Sequence, residues 1–373
     1  MRVTPHAQPR RARAGAVAAT VAAGAAAIAI APGSAQAAVG CDLYAHSGGS
    51  DSASGTGAAP FRTAQKLVSS LADGQVGCLA AGQTFDGGLY VSNAGSPGNE
   101  ITLQSEPGGE RATVRGRVVV TNNAHDVVIN NLSLDASTIG RITSPYVYGS
   151  RITFSNNDIT NWHNGMSCFL IGSTSHVAYD ITIDNNRIHN CGELPATNLD
   201  HGLYVLSSRN LVLTNNYIYR NSDWGVHLYP DADDSYVANN IIDRNGSGVI
   251  FAGDYGMASD DNTVTQNLIT NSLIKRDVEV WWPGGNPIGT GNTLDDNCIA
   301  GGWSPYGSAT GYTRSGNQLV APTYADPDGG DYTLTEGSAC LGYGPASAQP
   351  GAAPEPDPAP DPDPDPAPDP EPD

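Results

Sequence analysis

Basic residues are scarce in this 373-residue chain: 18 Lys and Arg stand against 38 Asp and Glu, a formal charge of −20 at pH 7. Eight of the acids lie in residues 354–373, and Arg2, Arg10, Arg11 and Arg13 lie at the very start. Setting both groups aside leaves 30 acids against 14 bases, so the middle of the chain is acidic in its own right. That balance argues against a nucleic-acid partner, because phosphate backbones are held by cations. No Cys-x-x-Cys pair occurs, so the cysteines do not suggest a zinc site. Beyond residue 37 no stretch is long and apolar enough to span a bilayer. Helical periodicity is missing from the whole central region.

What is present begins with the two ends. A basic start, the apolar run "AGAVAATVAAGAAAIAIA" and the small-residue stretch "SAQA" have the layout of a secretory signal peptide over residues 1–37, with cleavage predicted after Ala37. The Arg10–Arg11 pair leaves the export route open. Residues 351–373 end in "PEPDPAPDPDPDPAPDPEPD", where proline alternates with acids and small residues. Such a segment has nothing to bury and is expected to be a solvated tail. The predicted location is extracellular, with cell-wall association through the tail as an option, and residues 38–350 form the predicted folded domain. Six cysteines, Cys41, Cys78, Cys168, Cys191, Cys298 and Cys340, all follow the signal. An even count in an exported chain implies disulfides. Sequence proximity favours Cys41–Cys78, Cys168–Cys191 and Cys298–Cys340 among the possible pairings.

The centre repeats itself. "VVINNLSLD", "ITFSNNDITNW", "ITIDNNRIHNC", "LVLTNNYIYRN", "SYVANNIIDRN", "NTVTQNLITNS" and "NTLDDNCIAGG" share alternating apolar residues, an Asn-rich pair and renewed alternation. The second residue of the pair falls at Asn131, Asn157, Asn186, Asn216, Asn240, Asn267 and Asn297, with spacings of 26, 29, 30, 24, 27 and 30 residues. A recurring period of this length indicates a solenoid. Period-two alternation makes its elements strands, and Asn tolerates the left-handed backbone of a tight corner. Stacked asparagines can also bond from rung to rung. The expected fold is all-β, a parallel β-helix. "FRTAQKLVSSL" at 61–71 reads as a short helix capping the first rung, and residues 303–345 are expected to cover the far end, held by Cys298–Cys340.

These Asn-marked rungs resemble the right-handed parallel β-helix repeats of the pectate-lyase-like superfamily over roughly residues 85–320. The resemblance implies right-handed coils and a carbohydrate-related role. It leaves the activity open, since that superfamily includes lyases, hydrolases, C5-epimerases and binding proteins.

Stacking the Gly-entered strands in one frame aligns Gly165, Gly202, Gly225 and Gly248, with Asp277 continuing the series. Leu203, Val205, Val226, Leu228, Val249, Phe251, Val278 and Val280 then alternate inward. The outward columns read Ser167, Tyr204, His227, Ile250, Glu279 and Phe169, Leu206, Tyr229, Ala252, Trp281. Ahead of the glycines stand Asp200 and His201, Asp223 and Trp224, Lys275 and Arg276. A solvated face would carry Thr, Ser, Asn and Lys, whereas this one gathers acids, bases, imidazoles and aromatics. Imidazoles suit proton transfer near neutral pH.

On a uronate, β-elimination or C5-epimerisation needs a base for the C5 proton and a cation for the carboxylate. Elimination also needs an acid for the leaving oxygen. His227 or Lys275 is the candidate base, Tyr204 or His201 the acid, and Arg276 or Arg220 the neutraliser. Trp224, Tyr229 and Trp281 are candidate sugar platforms, Asp200 and Asp223 candidate substrate contacts, and Glu279 either an ion-pair partner or a hydrolase acid. Asp231, Asp233 and Asp234 in "YPDADDSY" are oxygen donors of the kind calcium takes, so calcium is a candidate cofactor. The leading expectation is a polysaccharide lyase acting on a uronic-acid-containing polymer as a monomer. "DHGLYV" and "WGVHLY" resemble the Asp/His/Tyr surface of β-helix uronan epimerases, which keeps epimerisation as an alternative. A two-carboxylate glycoside hydrolase and a non-catalytic glycan or cell-wall binder are the others.

Overall fold

The computed structural model describes residues 40–352. The signal-peptide reading of 1–37, and all but the first two residues of the predicted 351–373 tail, lie outside the described residues.

Each turn of the chain contributes one short strand to each of three faces, and each strand pairs in parallel with its equivalent one turn on. The first face includes His125–Asn130, Ser150–Ser155, Ala178–Asp184, Val212–Thr214, Tyr236–Ala238, Thr263–Thr265 and Asn292–Asp295. The second runs through Leu132–Asp135, Asp158–Thr160, Arg187–His189, Tyr217–Tyr219, Ile241–Asp243, Leu268–Thr270 and Cys298–Ala300. The third includes Tyr146–Val147, Phe169–Ile171, Leu203–Arg209, Trp224–Asp233, Ser247–Ala252 and Val278–Trp281. Because the side-chain period of a strand is two, alternate residues fill the lumen. Leu203, Val205, Val226, Leu228, Val249, Phe251 and Val278 are fully buried there, as the frame requires, and Val280 is half-buried.

The corner between first and second faces explains the asparagines. Asn156, Asn185, Asn215 and Asn239 sit in the left-handed region (φ 55 to 58°), and Gln266 and Asp296 do so on the last rungs. The next residue turns inward. Asn157, Asn186, Asn216, Asn240, Asn267 and Asn297 are fully buried, and each donates its Nδ2 to the Oδ1 of the next at 2.9–3.0 Å. Each Oδ1 also accepts the backbone N–H of the rung before it. The ladder therefore satisfies corner groups that would otherwise be buried and unpaired. It extends one rung further than the repeats suggest, to Asn317. Asn131 does not belong to it: with φ 52° it occupies the corner position, and Leu132 stands where the ladder residue would be.

The helix within 61–71 spans Ala64–Ser70, with Thr63 accepting from the N–H of Lys66 at its start. Its Leu67 and Val68 are buried in the core. All three disulfides form in the pairing that sequence proximity favours. Residues 303–345 differ from expectation. Tyr306 and Tyr312 pack against the core, but the antiparallel pair Tyr324–Asp326 and Asp331–Leu334 lies along the second face instead of across the open end. The reason is chemical: the second face is lined by Tyr217, Tyr219, Ile241 and Leu268, an apolar stripe that Tyr332, Leu334 and Ala348 cover.

Candidate functional site

The site is built on the third face. Leu203 and Val205 on one rung and Val226 and Leu228 on the next are fixed in the lumen, so the residues between them, Tyr204 and His227, point out as direct Cα partners. Their rings stack, with centroids 5.1 Å apart and planes 13° from parallel. Tyr229, two residues on, stacks on the same imidazole at 5.1 Å and 21°. Trp281 meets Tyr229 at 5.7 Å and closes the aromatic row on one side. Below Tyr204 the frame shifts. Phe169 pairs with Leu203 and Leu170 with Tyr204, so Leu170, not Ser167, precedes Tyr204 in the outward column. The residues between Gly165 and the strand at Phe169 belong to the corner, which the shared glycine had masked.

Behind the stacked rings the histidines form a buried chain. His227 Nδ1 lies 3.0 Å from His201 Nε2, and His201 Nδ1 lies 3.5 Å from Asp223 Oδ2. His201 is fully buried and His227 retains 7 % of its exposure. Burial disfavours the charged form of an imidazole. It pulls His201 down to about 3, and it holds His227 well below the usual histidine range with help from His201 and Lys275. The same burial pushes Asp223 up to about 6, against the pull of Lys275 and reinforced by Asp200. Burial and the neighbouring Tyr255 push Tyr204 up to about 12, so at neutral pH it is a phenol with a proton to give.

Two neutral imidazoles in contact need one donor and one acceptor. With Asp223 ionised, its carboxylate favours a proton on His201 Nδ1. His201 Nε2 then accepts from His227 Nδ1, and His227 Nε2 is left as a bare acceptor with no protein partner among the described residues. With Asp223 protonated, each step reverses and Nε2 carries hydrogen. The carboxylate thus sets whether the outermost nitrogen acts as base or acid. Lys275 completes the group: its ammonium lies 4.9 Å from the Trp224 ring centroid, and it makes no ion pair among the described residues.

His201, Tyr204, Asp223, Trp224, His227, Tyr229 and Lys275 are therefore brought together, with Trp281 at their margin. The remaining candidates are turned away or engaged by other residues of the protein. Asp200 is fully buried and accepts from the N–H groups of Glu193 and Thr197 and from the Thr197 hydroxyl, so it ties down a loop and offers substrate no free oxygen. Arg220 takes a left-handed corner (φ 53°) that turns it to the second face, where it donates to the carbonyls of Pro327 and Asp328. Arg276 and Glu279 neutralise one another at 3.1 Å. Asp231 and Asp233 share the Arg209 guanidinium at 2.9 and 3.2 Å, and Asp234 is a left-handed corner residue. A cation of the protein already occupies the carboxylates proposed for calcium, and the described residues hold no cluster of three or more metal-binding side chains.

Sequence reasoning missed Tyr255. It stands on the 253–259 loop, which lies between Ser247–Ala252 and Thr263–Thr265, and it acts on both Tyr204 and Tyr229. On the same loop Asp254 accepts from the Tyr229 hydroxyl at 3.3 Å. No break in the period marks this loop, because Asn240 and Asn267 are 27 residues apart, within the range of the other spacings.

Among solved structures, the pectate lyase Pel9A matches with a TM-score of 0.51 and 17% identity, over 76% of this chain and 78% of that one. An alginate lyase from Paenibacillus sp. str. FPU-7 gives a TM-score of 0.47 and 16% identity over 68% and 96%. The A-module of a mannuronan C-5 epimerase from Azotobacter vinelandii gives 0.40 and 16% over 68% and 90%. At these identities the likeness concerns the fold. No curated protein sequence matches significantly. The family model described as "Right handed beta helix region" matches residues 116–319, more than half of the chain. With its parallel coils and asparagine ladder, the chain belongs to that right-handed β-helix family.

Proposed function

We propose that the protein is an extracellular enzyme acting on a uronic-acid-containing polysaccharide, most simply a lyase that cleaves by β-elimination. The observation that carries this reading is the buried His227–His201–Asp223 chain ending in a single imidazole nitrogen, set beside a protonated phenol and an ammonium without a carboxylate partner. His227 Nε2 takes the C5 proton of a uronate residue. The electrons form the C4–C5 double bond, the C4–O bond breaks, and the Tyr204 hydroxyl protonates the departing oxygen. Lys275 neutralises the uronate carboxylate and so lowers the cost of the carbanion-like transition state. Tyr229 and Trp281 give the sugar ring its stacking surface.

A hydrolase finds less support, because its chemistry needs two carboxylates across the scissile bond. Here Asp200 is consumed by its loop, Asp223 by His201, and Glu279 by Arg276. The test is a panel of pectate, alginate and glycosaminoglycans with products weighed by mass spectrometry. Fragments with no added water and a new ultraviolet absorbance support elimination, and fragments heavier by one water refute it. Solvent deuterium entering an uncleaved polymer would transfer the same residues to C5-epimerisation. Binding without product would mark a non-catalytic glycan binder. The three disulfides are compatible with the proposed extracellular location.

A further inference from the structure

Seven of the arginines in the described residues are spent on carboxylates: Arg115, Arg141, Arg151, Arg209, Arg220, Arg244 and Arg276 all form ion pairs. Arg117 and Arg314 are not spent in this way; Arg314 lies over the Tyr306 ring at 4.2 Å, and Arg117 stands on the third face in line with His227. It is exposed, it has no acidic partner among the described residues, and its guanidinium lies 5.8 Å from the centroid of the Tyr146 ring. Tyr146 is paired in turn with Tyr148, at 4.0 Å between centroids and 38° between planes, and His176 meets Tyr148 edge-on at 6.0 Å. An acidic protein has left a cation open here, on an aromatic floor.

The position of this floor gives it meaning. Tyr146 pairs with Leu170, Leu170 with Tyr204 and Tyr204 with His227, so all four stand in one outward column of the third face. Three rungs separate Tyr146 from His227, about 14 Å at the usual strand spacing of ~4.8 Å. Between them the column carries Leu170 and Tyr204, and beside Leu170 the backbone at Gly172 (φ 73°) lies so close to the Ser207 carbonyl that any Cβ would overlap it. No charged side chain of these columns interrupts the path. A flat sugar ring suits the tilted tyrosines, and a uronate carboxylate suits a guanidinium that presents a planar fork of donors.

We infer that Arg117, Tyr146 and Tyr148 form a distal subsite that binds a uronate residue of the same glycan chain, about three rungs from the residue held at His227. The inference rests on the uronan reading of the His227 site. The glycan runs along the solenoid axis over the third face, and its affinity depends on whether it is long enough to reach Arg117. A guanidinium–carboxylate contact with stacking beneath it gives roughly a tenfold effect on binding.

The experiment compares the full chain with its Arg117→Ala and Arg117→Lys variants. Affinity is measured for polyuronate, and for a short oligouronate that fits the His227 rungs alone, with turnover recorded alongside. The expected result is that Arg117→Ala lowers the polymer-to-oligomer affinity ratio about tenfold, appearing in KM and not in kcat, with Arg117→Lys recovering part of it. An unchanged ratio overturns the subsite, even where wild-type turnover upholds the His227 reading. Conversely, binding that depends on chain length and on Arg117, without product, keeps the subsite and refutes the catalytic reading. Absence of polyuronate binding by the wild type refutes both.

Discussion

Asp223→Asn isolates the proposed tautomer control. The carboxylate lies 3.5 Å from His201 Nδ1, a charge contact too long for a hydrogen bond, and beyond it the 3.0 Å contact passes the effect to His227. The tautomer preference rests on the charge of the carboxylate, worth about 1–2 kcal/mol beside an imidazole N–H at this distance. Exchanging carboxylate for amide therefore reduces the preference for the base-competent tautomer by about 1–2 kcal/mol, roughly tenfold in kcat/KM. An amide that turns its NH2 to His201 selects the opposite tautomer and gives a larger loss. The sharper consequence is in pH dependence. Asp223 is raised to about 6, so in the wild type acidification through that value protonates it, reverses the chain and removes the base. The activity limb on the acid side is therefore expected near pH 6, although both imidazoles titrate lower. An amide does not titrate, so the limb should disappear in Asp223→Asn while a reduced plateau remains. The assay is initial rate by ultraviolet absorbance from acid to neutral pH. An Asp223→Asn enzyme that keeps the wild-type limb at the same midpoint would refute the mechanism.

The other expectations concern the scaffold. Asn216→Ala removes the acceptor of the Asn186 N–H, one of three acceptors of Asn186 Nδ2, and a donor to the carbonyls of Ile183 and Thr214, and should cost about 2–4 kcal/mol in denaturant unfolding. Asn131→Ala loses only a favourable corner residue and should cost about 1–2 kcal/mol. Arg220→Ala should leave kcat/KM on the polymer unchanged but lower the melting temperature, because its contacts are with Pro327 and Asp328; a selective loss of turnover would return Arg220 to the site. Asp277, raised to about 6 by burial from an unfolded value near 3.8, binds its proton more tightly when folded. Its contribution to stability is present below pH 4 and is lost as pH rises through 6. Asp277→Asn should therefore flatten the melting-temperature profile between about pH 4 and 6, and a profile as steep as wild type would show that other groups control this range.

The fold was legible because its grammar is local. Period-two alternation and an amide near the corner recur seven times, and six of the copies report the same ladder geometry. Disulfide pairing followed because a solenoid keeps sequence neighbours close in space. The frame from Gly202 to Val280 placed Tyr204, His227, Ile250 and Glu279 in one column correctly. It failed where one residue type serves two purposes. The glycine at Gly165 belongs to a corner, and Asn131 resembles a ladder residue while acting as a corner. Burial of His201 and Asp200 depends on the 192–200 loop, and the engagement of Arg220 depends on a segment more than 100 residues away. Neither leaves a periodic trace.

The segment along the second face bears on how this molecule would respond to load. A bare solenoid unzips from its end, because each turn contacts only its neighbours. Here Arg187, Tyr217, Arg220, Arg244, the Gln266 carbonyl and Cys298, drawn from five successive rungs, are all fastened to residues 327–347. Tension on the C-terminal end would be shared among those rungs as parallel shear instead of peeling them one at a time. The half of the protein that carries His227 should therefore yield as one mechanical block, after the unstrapped rungs before it.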